Sequence, residues 1–211
     1  MSASSNHLQE CGETLMGLLV GLSVGLVVLA AGSAMLAHHL RGHRAALQDS
    51  HLHTDLRSAM DWMARELRKA QYSAHAWESR SPAVCSDAFC GGMTNFSING
   101  SEINFSHDRD HDGQRDDDEC MGYRLSANAL MARRTCSGNG NWQAITDRAN
   151  MTLTSLSWQL DCELRSGWLH RSVHMRLTAQ WPGDATQQIN WTKTVHLRNA
   201  LPGSQLALVC P

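Results

Sequence analysis

From Thr14 to Ala37 the chain carries no charged residue, and Leu, Val, Ala, Gly and Met dominate. About 20 consecutive apolar residues suffice to cross a bilayer as a helix, so this stretch predicts a membrane anchor near the amino terminus. With 211 residues and 23.3 kDa in all, what remains builds one globular domain and leaves little for a second core. The mean hydropathy of -0.34 looks like that of a soluble protein only because it averages the apolar run with a polar remainder. A formal net charge of -2 and a pI near 6.6 give no global basic field, so nucleic acid is not indicated as a partner.

Of the 7 cysteines, Cys11 precedes the apolar run, which leaves 7 - 1 = 6 beyond it: Cys85, Cys90, Cys120, Cys136, Cys162 and Cys210. An even number on one side of a membrane points to an oxidising compartment, the alternative being buried free thiols in a reducing cytosol. Six cysteines allow about 15 pairings, so connectivity does not follow from sequence; a short Cys85–Cys90 loop and a Cys120–Cys136 pair are the expectations.

A secretory signal peptide would have a basic start, a shorter apolar core and a cleavage site after it. Here the leader MSASSNHLQECG has no Lys or Arg, and its small residue, Gly12, sits before the run. From Gly12, the residues Glu13, Thr14, Leu15, Met16, Gly17, Leu18, Leu19, Val20, Gly21 and Leu22 match the prepilin pattern Gly-Phe-Thr-Leu-Ile-Glu-Leu at the glycine, the threonine and two leucines. Gly21 to Ala31, Asp55 to Asp61 and Ala64 to Arg68 extend the likeness, and the first 75 residues or so resemble a PilW-type minor pilin of the type IV pilus. The resemblance implies cleavage after Gly12 by prepilin peptidase and a methylated mature amino terminus at Glu13. It also implies a single-pass anchor in the bacterial inner membrane, a periplasmic carboxyl-terminal domain, and other minor and major pilins as partners. Two positions depart from the pattern: Glu13 stands where the family has Phe, and Gly17 where it has Glu. That glutamate neutralises a neighbour's terminal amine in the apolar filament core, where an unpaired charge is costly. Gly17 has no such group, which fits a subunit at the filament tip, or one whose Glu13 serves its own amine. Arg41 and Arg44 lie just beyond the span, and charge bias alone would put the carboxyl-terminal part in the cytosol; the leader and the cysteines outweigh it.

Beyond the anchor, Leu52, Leu56, Met60, Met63, Leu67 and Ala70 recur at steps of three and four, the stripe of an amphipathic helix. Asp55, Arg57, Asp61, Arg65, Arg68 and Lys69 occupy the other face, and Gly42 is the candidate break between the two stretches. Ser79 to Gly92 reads as a loop. Phe96, Ile98, Ile103 and Phe105 flank Asn99-Gly100, a hairpin signal, and Tyr123 and Leu125 start another strand, with Leu130, Trp142 and Ile145 continuing apolar contacts. Strict alternation marks Leu156, Trp158, Leu160, Cys162 and Leu164, then Val173, Met175, Leu177, Ala179 and Trp181. It returns in Ile189, Trp191, Val195 and Leu197, with Lys193 interrupting, and Pro182-Gly183-Asp184 turns between the last two runs. The predicted fold class is α+β: a long amino-terminal helix packed on an antiparallel sheet, pilin-like. Its segments are a leader over 1–12, a transmembrane half over 13–40, an amphipathic half over 41–75 and a β-rich domain over 76–211.

Residues 108–119 read Asp-Arg-Asp-His-Asp-Gly-Gln-Arg-Asp-Asp-Asp-Glu and fit D-x-[DN]-x-[DN]-G-x5-E at every specified position. Asp108, Asp110 and Asp112 take loop positions one, three and five, Gly113 the sharp turn, and Gln114 the backbone-carbonyl position. Asp116 takes position nine and Glu119 the bidentate position twelve. Ca2+ needs six or more oxygens wrapped round one point, which alternating carboxylates supply when glycine lets the chain turn. Arg115 replaces the aliphatic residue of a paired EF-hand, and the flanks read as strands, so the expectation is an isolated calcium loop between strands. An acidic turn that binds nothing is the plain alternative.

The histidines at 38, 39, 43, 51 and 53 form no metal motif, and the sequence holds no HExxH, GxSxG or P-loop, so no enzymatic activity is expected. The functional expectation is a minor pilin at the pilus tip or base that helps initiate, assemble or cap the filament. The alternatives are a type II secretion pseudopilin of the J type, or an anchored calcium-dependent binding module outside any filament.

Overall fold

The computed structural model describes residues 15–78, 88–137 and 141–210. Gly12 and Glu13, the expected cleavage and methylation positions, and Cys85 lie outside them. The chain divides into two compact units, the first ending at Ser50 and the second starting at His51. The boundary falls within one helix, α1 (Leu15–Leu67), which passes through Gly42 without the break that glycine suggested.

In the first unit α1 is long and apolar enough to cross a membrane, with a mean hydropathy of 2.4 over its most apolar window. Its large side chains are bare, Leu15 79% and Leu29 71% exposed. Two hydroxyls in this stretch turn back on the helix: Ser23 Oγ donates to the Leu19 carbonyl at 2.8 Å and Ser33 Oγ to the Ala30 carbonyl at 2.9 Å. Satisfying polar groups within the segment is what a hydrocarbon medium requires.

In the second unit the stripe behaves as its periodicity predicts. Leu52, Leu56, Met60, Met63, Leu67 and Ala70 are all buried, while Arg57, Arg65, Arg68 and Lys69 are exposed. The helix ends at Leu67, short of the expected 75, because the chain tightens into turns: Ala70 N donates to the Leu67 carbonyl and Gln71 adopts φ 57. Ala70 keeps its place in the core although it is no longer helical.

Among the described residues the strands form two antiparallel sheets where one was expected. The first is a meander of β1 (Phe96–Asn99), β2 (Glu102–Ser106), β3 (Cys120–Ser126), β4 (Ala129–Arg133) and β5 (Gln143–Ala144). The second joins β6 (Thr152–Arg165), β7 (Trp168–Trp181) and β8 (Asp184–His196), with β9 (Leu201–Pro202) also paired to β7. Phe96 pairs with Phe105 and Ile98 with Ile103 across the Asn99-Gly100 hairpin, and Gly183, at φ +84, makes the expected turn before β8.

One core collects the helical stripe, Ile103, Phe105, Tyr123 and Leu130 from the first sheet, and Leu153, Leu156, Val173, Leu177 and Val195 from the second. Each such aliphatic side chain contributes about 1.5–3 kcal/mol on burial. The Trp62 and Tyr123 rings meet edge-on at 5.5 Å, and Trp158 Nε1 donates to the Ser101 carbonyl at 3.0 Å, joining the sheets. Burial fades along β6: Leu156 is 5% exposed but Leu164 is 53% exposed, so the alternation marks a buried face only over the strand's first half. Lys193, the interruption in the β8 pattern, bonds to the Asp61 carboxylate of α1.

Disulfides close Cys120–Cys136, as expected, and Cys162–Cys210, which ties the end of the chain to β6. Cys90 is also disulfide-bonded.

Candidate functional site

The acidic loop connects β2 to β3, so strands flank it on both sides as the sequence implied. His107 N donates to the Glu119 carbonyl at 3.1 Å, which closes the loop's base like the last rung of the ladder. The Cys120–Cys136 disulfide clamps its exit, and Cys136 N donates to the Asp117 carbonyl at 2.6 Å. Ser137 donates to the Asp117 carboxylate at 2.8 Å and holds that carboxyl below its ordinary range.

Asp108 is the buried member, 1% exposed, and it organises the turn. Its Oδ1 accepts from His111 N at 2.7 Å, and its Oδ2 accepts from Gly113 N at 3.2 Å and from Ala74 N at 2.8 Å. The Asp108 amide donates to the Tyr72 carbonyl at 2.8 Å, so the loop is fastened to the segment that leaves α1. Asp110 and Asp112 repeat the device locally, each accepting from the amide two residues on, Asp112 N and Gln114 N. Gly113 sits at φ +73, and a Cβ there would lie 2.4 Å from the His75 ring, so both backbone shape and space demand glycine.

The result brings carboxylate oxygens of Asp108, Asp110 and Asp112 within 4.8 Å of one another. Three anions at that spacing repel by about 1 kcal/mol per pair even in bulk water. This set can offer a hard cation three of its oxygens, and the donor chemistry suits calcium or magnesium rather than zinc. Glu119 lies outside this three-carboxylate group. It is buried, but Oε1 accepts from Arg109 N at 2.6 Å and Oε2 from Asp116 N at 3.0 Å, so its carboxylate ties the loop's two ends to each other. Gln114 and Asp116 are exposed and lie outside the three-carboxylate group.

Sequence reasoning missed the segment after the helix. Tyr72, Ala74 and His75 bear on the loop from more than thirty positions away, and no local pattern announces such a contact. Tyr72 packs edge-on to His111 at 5.6 Å, and its hydroxyl lies 3.3 Å from His111 Nδ1. His107, at the loop's base, is buried, and burial pushes its imidazole below the ordinary value.

The family model described as prepilin peptidase-dependent protein B matches residues 45–197. That is 197 - 45 + 1 = 153 of 211 residues. The chain belongs to this family. The match covers the amphipathic end of α1, strands β1 to β8 and the 108–119 loop, and it links the protein to the type IV pilus system as a pilin-like chain. Residues 1–44, which include the expected leader and the apolar stretch, lie outside the matched region. No curated protein and no solved structure matches the chain.

Proposed function

We propose that the protein is a minor pilin of the PilW type, which enters a type IV pilus near its tip or base and helps initiate, assemble or cap it. The observation that carries this reading is an anchor-length apolar helix on a chain of a prepilin peptidase-dependent family. Its work is packing and assembly, not catalysis. Prepilin peptidase would cleave after Gly12 and leave Glu13 as the methylated amino terminus, with other pilins as partners of the apolar helix. The disulfides Cys120–Cys136 and Cys162–Cys210 support a periplasmic domain, because such bonds persist in oxidising compartments.

The 108–119 loop is, on the same reading, a calcium loop. Asp108, Asp110 and Asp112 would supply the first oxygens, with Gln114 (through its carbonyl), Asp116 and Glu119 as the further ligands of the motif. Each Glu119 oxygen accepts one amide, Arg109 N or Asp116 N, and keeps a lone pair with which it could coordinate, so binding would brace the loop between β2 and β3. A cation that binds only the folded loop stabilises the domain by about 2.7 kcal/mol at a hundredfold excess over its dissociation constant. Calcium added to chelator-treated protein should therefore raise the melting temperature by several degrees, and Asp110→Asn with Asp112→Asn should abolish the rise. An unchanged melting curve would reduce the loop to an acidic turn.

The experiment that tests the pilin reading is the intact mass and terminal sequence of the protein from its native membrane. A chain beginning at Glu13 with a methylated amine is expected. A chain beginning at Met1 or Ser2 would remove filament assembly from consideration.

A further inference from the structure

A cavity of about 300 Å3 opens where α1 ends, lined by Arg65, Arg68, Lys69, Tyr72, Arg198 and Asn199. Four of the six lining residues are cations and none is an acid. Lys69 has a partner in Glu66 at 3.0 Å, but neither Arg68 nor Arg198 makes an ion pair among the described residues.

Basic residues often gather at a helix carboxyl terminus because they complement its dipole. That accounts for Arg65, Arg68 and Lys69, but not for the cations that come from the second sheet and the segment after it. Arg198 lies just past β8, and Arg171 of β7, which does not itself line the cavity, is 3% exposed. Its guanidinium bonds to the Gln71 side chain and to the Asn199 carbonyl at 3.2 Å, stands 5.2 Å from the Phe96 ring, and meets no carboxylate among the described residues. Its Nε has no partner among the described residues. Burial lowers its pKa to about 10, which leaves it charged at neutral pH. A buried cation without a counter-ion is costly, and its charge adds to the positive field at this helix end.

The carbonyls that would repel an anion at this helix end are already engaged. Asn199 Nδ2 donates to the Ala70 carbonyl at 3.0 Å and to that of Lys69 at 3.3 Å, and Arg198 N donates to the Arg68 carbonyl at 3.4 Å. The lining residues then offer guanidinium and ammonium groups, their aliphatic stems, the Asn199 amide and the Tyr72 ring. We propose that this cavity binds an acidic side chain of a peptide partner, its methylenes along the Arg and Lys stems and its carboxylate on the forks of Arg68 and Arg198. Planar guanidinium pairs match a carboxylate in two-point geometry, and the stems give its carbon chain an apolar bed. A phosphate is the poorer fit, since phosphates favour the amide-rich amino end of a helix and this is the opposite end. The inference does not rest on the pilus reading, for the cavity would serve any acidic partner.

The test uses the full chain in neutral detergent micelles and a fluorescent hexaglutamate peptide, with hexaglutamine as control. Salt-sensitive binding of hexaglutamate alone is expected. Arg68→Glu with Arg198→Glu should weaken it about tenfold or more, and Arg68→Lys with Arg198→Lys should retain part of it. Both arginines are exposed, so an unchanged melting temperature verifies the fold; Arg198→Gln alone serves should the double variant misfold. Equal binding to wild type and the charge-reversed variant would overturn the proposal. So would no binding of hexaglutamate, or arginine-dependent binding of inorganic phosphate, an oligonucleotide or phosphatidylglycerol vesicles in preference to the peptide.

Discussion

The two stretches of α1 on either side of Ser50 contain the same kinds of apolar side chain and differ in where those side chains go. Before Ser50, Leu22 is 59% exposed and Leu26 58%; after it, Leu56 and Leu67 are 0% exposed. Upstream the apolar residues run round the helix, which suits a medium that is apolar on every side. Downstream they keep to one stripe, and charge covers the rest, which suits a helix with protein on one face and water on the other. One secondary structure thus carries two patterns, and the sequence distinguishes them by period and by the absence of charge from Thr14 to Ala37.

Placing the same charge in each stretch would break that comparison most sharply. Leu56→Asp puts a carboxylate into the core without a partner and should cost more than about 4 kcal/mol, read as loss of the cooperative urea transition. Leu26→Asp should leave that transition in place and instead disfavour membrane insertion by about 3 kcal/mol, read by the fraction of chain recovered in the membrane. Equal effects on the domain from both substitutions would make the two stretches one structural element.

Removing the Cys120–Cys136 bond with paired alanines releases a loop closed across a separation of 16 residues. The expected loss is about 3 kcal/mol in the second unit, with membrane recovery unchanged. Denaturant midpoints with and without the bond check this.

The smallest effect concerns Asp61, where a bond from Lys193 holds the carboxyl below its ordinary 3.8. A depressed folded value gives stability that is present above 3.8 and lost as pH falls through the folded value. Asp61→Asn should therefore flatten the stability profile on the acid side of pH 4 and cost no more than about 1 kcal/mol near neutrality, since the side chain is half exposed. Denaturant titrations at stepped pH read it, and an unaltered acid limb would show that the pair adds nothing.

Much of this architecture is legible in the residues alone. The stripe from Leu52 to Ala70, the hairpin at Asn99-Gly100, the alternation in β7 and the loop at Asp108–Glu119 all declare themselves within a few residues, because each arises from a short-range period or turn. Lys193 shows itself as a fault in a pattern whose cause lies on another element. The division into two sheets does not declare itself, nor does the burial that fades before Leu164, since alternation gives a strand's faces and not the extent of its cover.

By itself, then, the sequence determined an apolar stretch of membrane-spanning length, an amphipathic continuation, a strand-rich remainder and an acidic loop of calcium spacing. Only the tertiary structure decided that Glu119 binds backbone amides, that Tyr72 and Ala74 hold the loop from across the chain, and that Arg68, Arg171 and Arg198 gather at one helix end. The physical reason is range. Periods and turns are local properties of the backbone, whereas hydrogen-bond partners and charge clusters are chosen by packing among residues far apart in the chain.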